Sequence, residues 1–80
     1  MNKADLYSVT PPVEERFKSP LSVENSGCAT FAPILNSSGE LAGVYQGDSQ
    51  NPDLLGVRHT IEEFIAMADG MDAIRKRLGL

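Results

Sequence analysis

Apolar residues fall at Ile61, Phe64, Ile65, Ala68, Met71, Ile74 and Leu78. The spacing follows the roughly 3.6-residue period of an amphipathic helix. Thr60-Ile61-Glu62-Glu63 supplies the start. The Thr60 hydroxyl caps the third helical amide, and the Glu63 carboxylate reaches back to the Thr60 amide. His59 precedes the cap and pairs with Phe64 as a hydrophobic staple. Gly70 interrupts the stripe. It either sits inside one long helix at a cost of about 1 kcal/mol or ends a first segment. Gly79 is the natural stop.

Upstream the pattern shortens to strand-like runs between turn signals. Glu15 to Ser19 reads as a short strand stopped by Pro20, and Ser22 to Gly27 as a polar loop. Cys28 to Leu35 has the best strand composition, with Pro33 marking an edge or a bulge. Asn36-Ser37-Ser38-Gly39 is a strong turn, and Leu41 to Asp48 completes a hairpin. Gly43 and Gly47 weaken that strand and point to twist or close backbone approach. Ser49 to Asp53 is a second turn, and Leu54 to His59 a fourth short strand. Thr10-Pro11-Pro12 forbids helix near the N-terminus, so residues 1–13 are expected to form a flexible segment ahead of a single domain over 14–80. The predicted class is α+β: a small antiparallel sheet of three to four strands with one C-terminal helix packed on it. Such a thin sheet leaves apolar surface over, which favours an interaction role.

Composition narrows the functions open to this chain. Eighty residues make one domain with a thin core, and domains of this size rarely exceed roughly 3–5 kcal/mol of stability without staples. Cys28 is the single cysteine and His59 the single histidine, so neither a disulfide nor a Cys/His metal cluster is available. A lone cysteine fits a reducing compartment. The first residues lack an apolar signal-peptide core, and no run approaches the roughly 18 apolar residues of a membrane span. A cytoplasmic location is expected. The net charge is −4, which does not attract phosphate backbones. Arg75-Lys76-Arg77 is the one basic run. It complements the dipole of a helix C-terminus more simply than it binds nucleic acid or lipid.

Candidate chemistry is sparse. Asp48, Ser49 and His59 are the residue types of a hydrolytic triad, but Ser49 sits in no Gly-x-Ser-x-Gly elbow. Turn formation accounts for Asp48 and Ser49 better. Asp48, Asn51 and Asp53 do not match a calcium loop, lacking its glycine and terminal glutamate, and Asx-turn capping explains them. Cys28 starts a strand, where packing is a better account than thiol chemistry. No cofactor is expected.

One resemblance gives direction. Phe17-Lys18-Ser19, Gly27-Cys28, Val44 leading to Asp48-Ser49 and Pro52, then Arg58, Thr60, Glu63, Phe64 and Gly70 resemble the actinobacterial domain of unknown function 397 over roughly residues 16–71. The chain departs from that pattern at several positions. Phe64 stands for the family's tryptophan, Gly47 for its arginine before Asp-Ser, and Gln50 for its lysine after it. Pro20 replaces a second serine, and His59 a phenylalanine. The resemblance implies an antitoxin-like adaptor that binds and modulates a helix-turn-helix transcription regulator, with no catalytic residues, no direct nucleic-acid or membrane binding, and self-association in some members. Lys18, Ser19, Asp48, Ser49, Pro52, Arg58, Glu63 and Phe64 are the partner-binding positions it suggests. The alternatives are a structural homodimer using apolar surface on Phe31, Tyr45 and Phe64, and, more remotely, a hydrolase using Asp48, Ser49 and His59.

Overall fold

The computed structural model describes residues 3–20 and 28–80. A 3-10 helix at Lys3–Ser8 and a second at Val13–Glu15 precede β1 (Phe17–Lys18), β2 (Ala29–Leu35), β3 (Leu41–Asp48), β4 (Val57–Thr60) and α1 (Ile61–Arg77). The strands form one antiparallel sheet in the order β1-β2-β3-β4. The α+β class expected from the hydrophobic pattern is the observed one. The polar loop expected over Ser22 to Gly27 lies outside the described residues.

Local chemistry explains the central hairpin. The Asn36 Oδ1 accepts from the Ser38 and Glu40 amides at 2.9 and 3.0 Å, and Gly39 takes φ +80°. This side-chain turn sets β2 against β3 with Ala32 opposite Tyr45 and Pro33 opposite Val44. β1 pairs only with Thr30 and Phe31. Pro33 therefore lies where β2 has a neighbour on one side only, and the ladder shifts register after Ile34. β4 begins at Val57, later than the pattern suggests. Gly56 ahead of it takes φ +72°, and the Leu55 carbonyl is turned toward the Arg58 guanidinium.

Alternation gives the sheet two unlike faces. Thr30, Ala32, Ile34, Gly43, Tyr45 and Arg58 are buried on one. Phe31, Pro33, Leu35 and Val44 point to the other and stay at least partly exposed. The core is Leu6, Ala32, Ile34 and Tyr45. Leu6 comes from the N-terminal stretch expected to stand outside the domain, and it is 1% exposed. A Cβ at Gly43 would come within 2.9 Å of the Leu6 side chain and 2.6 Å of the His59 carbonyl, so glycine at 43 is what admits Leu6. Gly47 similarly yields to the Tyr45 hydroxyl, which would lie 2.3 Å from a Cβ there. Full burial of one leucine contributes about 1.5–3 kcal/mol, a large share of a core this small. The prolines that forbid an α-helix at 10–12 leave the preceding residues free to make their 3-10 turns.

Arg58 holds this face together. It is 0% exposed and, among the described residues, has no carboxylate partner. Its Nη1 donates to the Leu6 carbonyl at 3.1 Å and to the Val9 carbonyl, while Nε and Nη2 both donate to the Leu55 carbonyl. Its guanidinium carbon lies 4.8 Å from the Tyr45 ring centroid and 5.3 Å from that of Tyr7. Arg16 stacks on the same Tyr45 ring at 4.6 Å. A buried charge is tolerable only where dipoles replace its water, and here carbonyls and ring faces do so.

α1 starts as predicted. Thr60 Oγ1 accepts from the Glu63 amide and the Glu63 carboxylate accepts from the Thr60 amide, each at 3.1 Å. The helix runs through Gly70 without a break. It stops at Gly79, φ +78°, where the Leu80 amide donates to the Arg75 carbonyl and the Gly79 amide to that of Lys76, both at 3.1 Å. This is a Schellman closure. The helix meets β3 and β4 yet buries none of its own residues, so most of its apolar stripe faces outward rather than onto the sheet.

Replacing Arg58 with methionine leaves several carbonyls without donors. A loss of about 1–3 kcal/mol for each carbonyl left buried and unsatisfied is expected, read as a large fall in the midpoint of a thermal melt. Tyr45→Phe is expected to cost under about 0.5 kcal/mol in urea denaturation, because the buried Tyr45 hydroxyl has no hydrogen-bond partner among the described residues.

Candidate functional site

The Asp-Ser turn anchors one side of a small surface hollow. The Asp48 Oδ1 accepts from the Gln50 amide at 2.9 Å and Oδ2 accepts from Asn51 Nδ2 at 3.2 Å. The Ser49 amide donates to the Cys28 carbonyl at 2.9 Å, and the Cys28 amide donates to Ser49 Oγ at 3.1 Å. The turn thus clamps the residue before β2, and Cys28 is buried there. Four of the positions singled out in the sequence, Lys18, Asp48, Ser49 and Pro52, line one hollow of about 220 Å³. Thr30, Arg16 and Val13 complete it. No motif marks Arg16 or Thr30; the register that sets Lys18 opposite Thr30 and Thr30 opposite Gly47 gathers them.

Most polar groups of this hollow are already engaged in holding the fold. Arg16 donates from Nε and Nη2 to the Pro11 carbonyl and from Nη1 to that of Pro52, at 2.7 to 3.1 Å. It latches the N-terminal stretch to the loop after β3. Lys18 is exposed and makes no ion pair among the described residues. Thr30 Oγ1 is buried with no hydrogen-bond partner among them.

The remaining predicted positions separate. Arg58 is expected at a partner surface and is instead wholly buried, because its guanidinium makes four hydrogen bonds to three inward carbonyls. Tyr45, offered as homodimer surface, is 0% exposed beneath the two arginines. Ser19 lies exposed just after β1. Glu63 sits at the helix start, bonded to Thr60 and paired with Lys3 at 3.2 Å. The Asp48, Ser49 and His59 side chains do not join one another: His59 Nε2 pairs with Gln46 Oε1 at 2.8 Å, and the other two hold the turn.

The opposite sheet face carries an apolar groove of about 340 Å³. Phe17, Phe31, Pro33, Leu41, Val44 and Phe64 line it. Phe31 anchors it, with ring centroids 6.4 Å from Phe17 and 6.0 Å from Phe64. His59 meets Phe64 edge-on at 6.1 Å, the staple expected from the sequence. Phe17 is 58% exposed and Leu41 52%, so the groove is open. Among the described residues, no group of His, Cys, Asp and Glu is placed to hold a metal ion, and no helix is long and apolar enough to cross a membrane.

No protein-family model, curated protein or solved structure matches the chain. The likeness to the domain of unknown function 397 thus rests on the quoted residues alone. The Asp-Ser turn and the Thr-x-x-Glu cap both have structural roles in this fold, which is reason enough for their spacing.

Acidification tests the helix start. The Glu63 carboxyl is held below its ordinary value first by the Thr60 backbone amide and then by Lys3, and Asp72 is lowered by Arg75 and Lys76. A lowered folded pKa means stabilisation present above the ordinary carboxylate range and lost as pH falls through the folded value. Helical circular dichroism is expected to hold at neutral pH and decline below about pH 4. In Glu63→Gln the decline is expected to be shallower, since only Asp72 of this pair still titrates.

Proposed function

We propose that this chain is a small protein–protein interaction module, not an enzyme, that docks on a helix-turn-helix transcription regulator and modulates it. The observation that carries this reading is the open, wholly apolar groove of Phe17, Phe31, Pro33, Leu41, Val44 and Phe64. An apolar cleft with exposed aromatic walls on a chain this small is surface that a partner covers. The type of partner is drawn from the family resemblance. The net charge of −4 fits a protein that competes with DNA for a regulator's basic surface. A cytoplasmic setting follows from that role and from the single cysteine. The engagement of Asp48, Ser49 and His59 with separate structural partners supports the non-catalytic half of the reading.

The test pairs capture with function. The tagged protein is expected to bring down a helix-turn-helix protein in stoichiometric amount, and to change that regulator's affinity for its operator in a titration. Phe17→Glu is expected to weaken the complex at least about tenfold while leaving the thermal melt unchanged, since Phe17 is mostly exposed. An operator affinity that stays constant at saturating protein would sink the regulatory role.

A further inference from the structure

We propose that α1 is a dimerisation arm: two copies of the chain pair their helices antiparallel, with Met67 of each against Met71 of the other. The proposal adds a second contact surface along the helix, which meets the sheet groove at Phe64.

The helix has 17 residues, about 25 Å at 1.5 Å per residue; none is fully buried, with Phe64 and Met67 half-buried and Met71, Ile74 and Leu78 exposed. Phe64, Met67, Met71, Ile74 and Leu78 recur at alternating spacings of three and four. That is the narrow seam of a coiled coil, not the broad stripe of a helix lying on a sheet. Met71 is 51% exposed, Ile74 44% and Leu78 67%. The Schellman closure folds Leu80 back beside these residues, and together they border an apolar hollow of about 480 Å³.

Charge selects both orientation and register. The first turn of α1 holds Glu62 and Glu63, the last Arg75, Lys76 and Arg77. Parallel helices would stack like on like; antiparallel helices bring opposite ends together. Two layerings satisfy the seam. Setting Met71 against Ile74 places Gly70 beside Arg77. Setting Met67 against Met71 packs Phe64 against Ile74 and brings Glu63 of one copy beside Arg77 of the other. Arg77 makes no ion pair within the chain among the described residues, so the second register is the one assigned.

Sedimentation equilibrium of the full chain tests this across the micromolar range. The wild type is expected to be dimeric and Met71→Glu monomeric, with the sheet's NMR signals unchanged because Met71 touches solvent, not the core. Ile74→Lys is expected to do the same. Arg77→Glu is expected to weaken dimerisation about tenfold by setting two acids together, while Phe17→Glu leaves it intact. A monomeric wild type overturns the proposal, including one whose arm is covered only by a different protein. A dimer that survives Met71→Glu but falls apart in Phe17→Glu also overturns it, placing the contact at the sheet groove. An arm failure thereby stays distinct from a failure of regulator binding.

Discussion

A buried guanidinium that, among the described residues, is met by carbonyls and ring faces and not by a carboxylate governs this fold. Arg58 ties together three parts of the chain: the end of the first 3-10 helix, the loop before β4, and the ring of Tyr45 at the centre of β3. It adds directed bonds where Leu6 packing and the β3–β4 ladder already bring these parts near one another. Arg16 repeats the device from the other end of the N-terminal stretch, bonded to the Pro11 and Pro52 carbonyls and stacked on the same ring. With so small an apolar cluster among the described residues, directed polar bonds do what apolar bulk does in a larger domain. They also bring specificity, since a guanidinium plane accepts few arrangements of carbonyls.

The division of labour between the two sheet faces follows. One face is sealed by Leu6, Tyr45 and the arginines, and it provides stability. The other, with Phe31 at its centre and Phe64 leaning over it, is left open. α1 is fixed only at its start, where the capping box and the Phe64 contacts hold it, and its later turns project with their apolar seam bare. Stability and recognition are therefore assigned to different surfaces, and a change on the open side costs the fold little.

The elements governed by neighbouring residues were legible in the sequence. The Asn36–Gly39 turn, the Thr60 capping box, the staple of His59 on Phe64 and the stop at Gly79 all depend on residues within five positions of one another. The close approach expected at Gly43 and Gly47 was also correct in kind. What approaches was not legible, because Leu6 lies far off in the chain. Arg58 misled for the same reason. An arginine in a polar stretch reads as surface, and only the three-dimensional arrangement of Leu6, Val9 and Leu55 carbonyls makes it core. The helix is legible in its start, its period and its place on β3 and β4, but the exposure of Met71, Ile74 and Leu78 is not, because a stripe does not say how far along it the sheet reaches. Of the suggested partner positions, Lys18, Asp48, Ser49 and Pro52 do converge, yet Arg16 and Thr30 beside them carried no local signal.

The notch at Gly43 makes two distant positions unequal. Leu6 fits only because residue 43 has no side chain. A side chain at 43 would also meet the His59 carbonyl at 2.6 Å, and that obstacle stays whatever stands at position 6. The dependence therefore runs one way, like a key that needs its lock while the lock keeps its shape without the key.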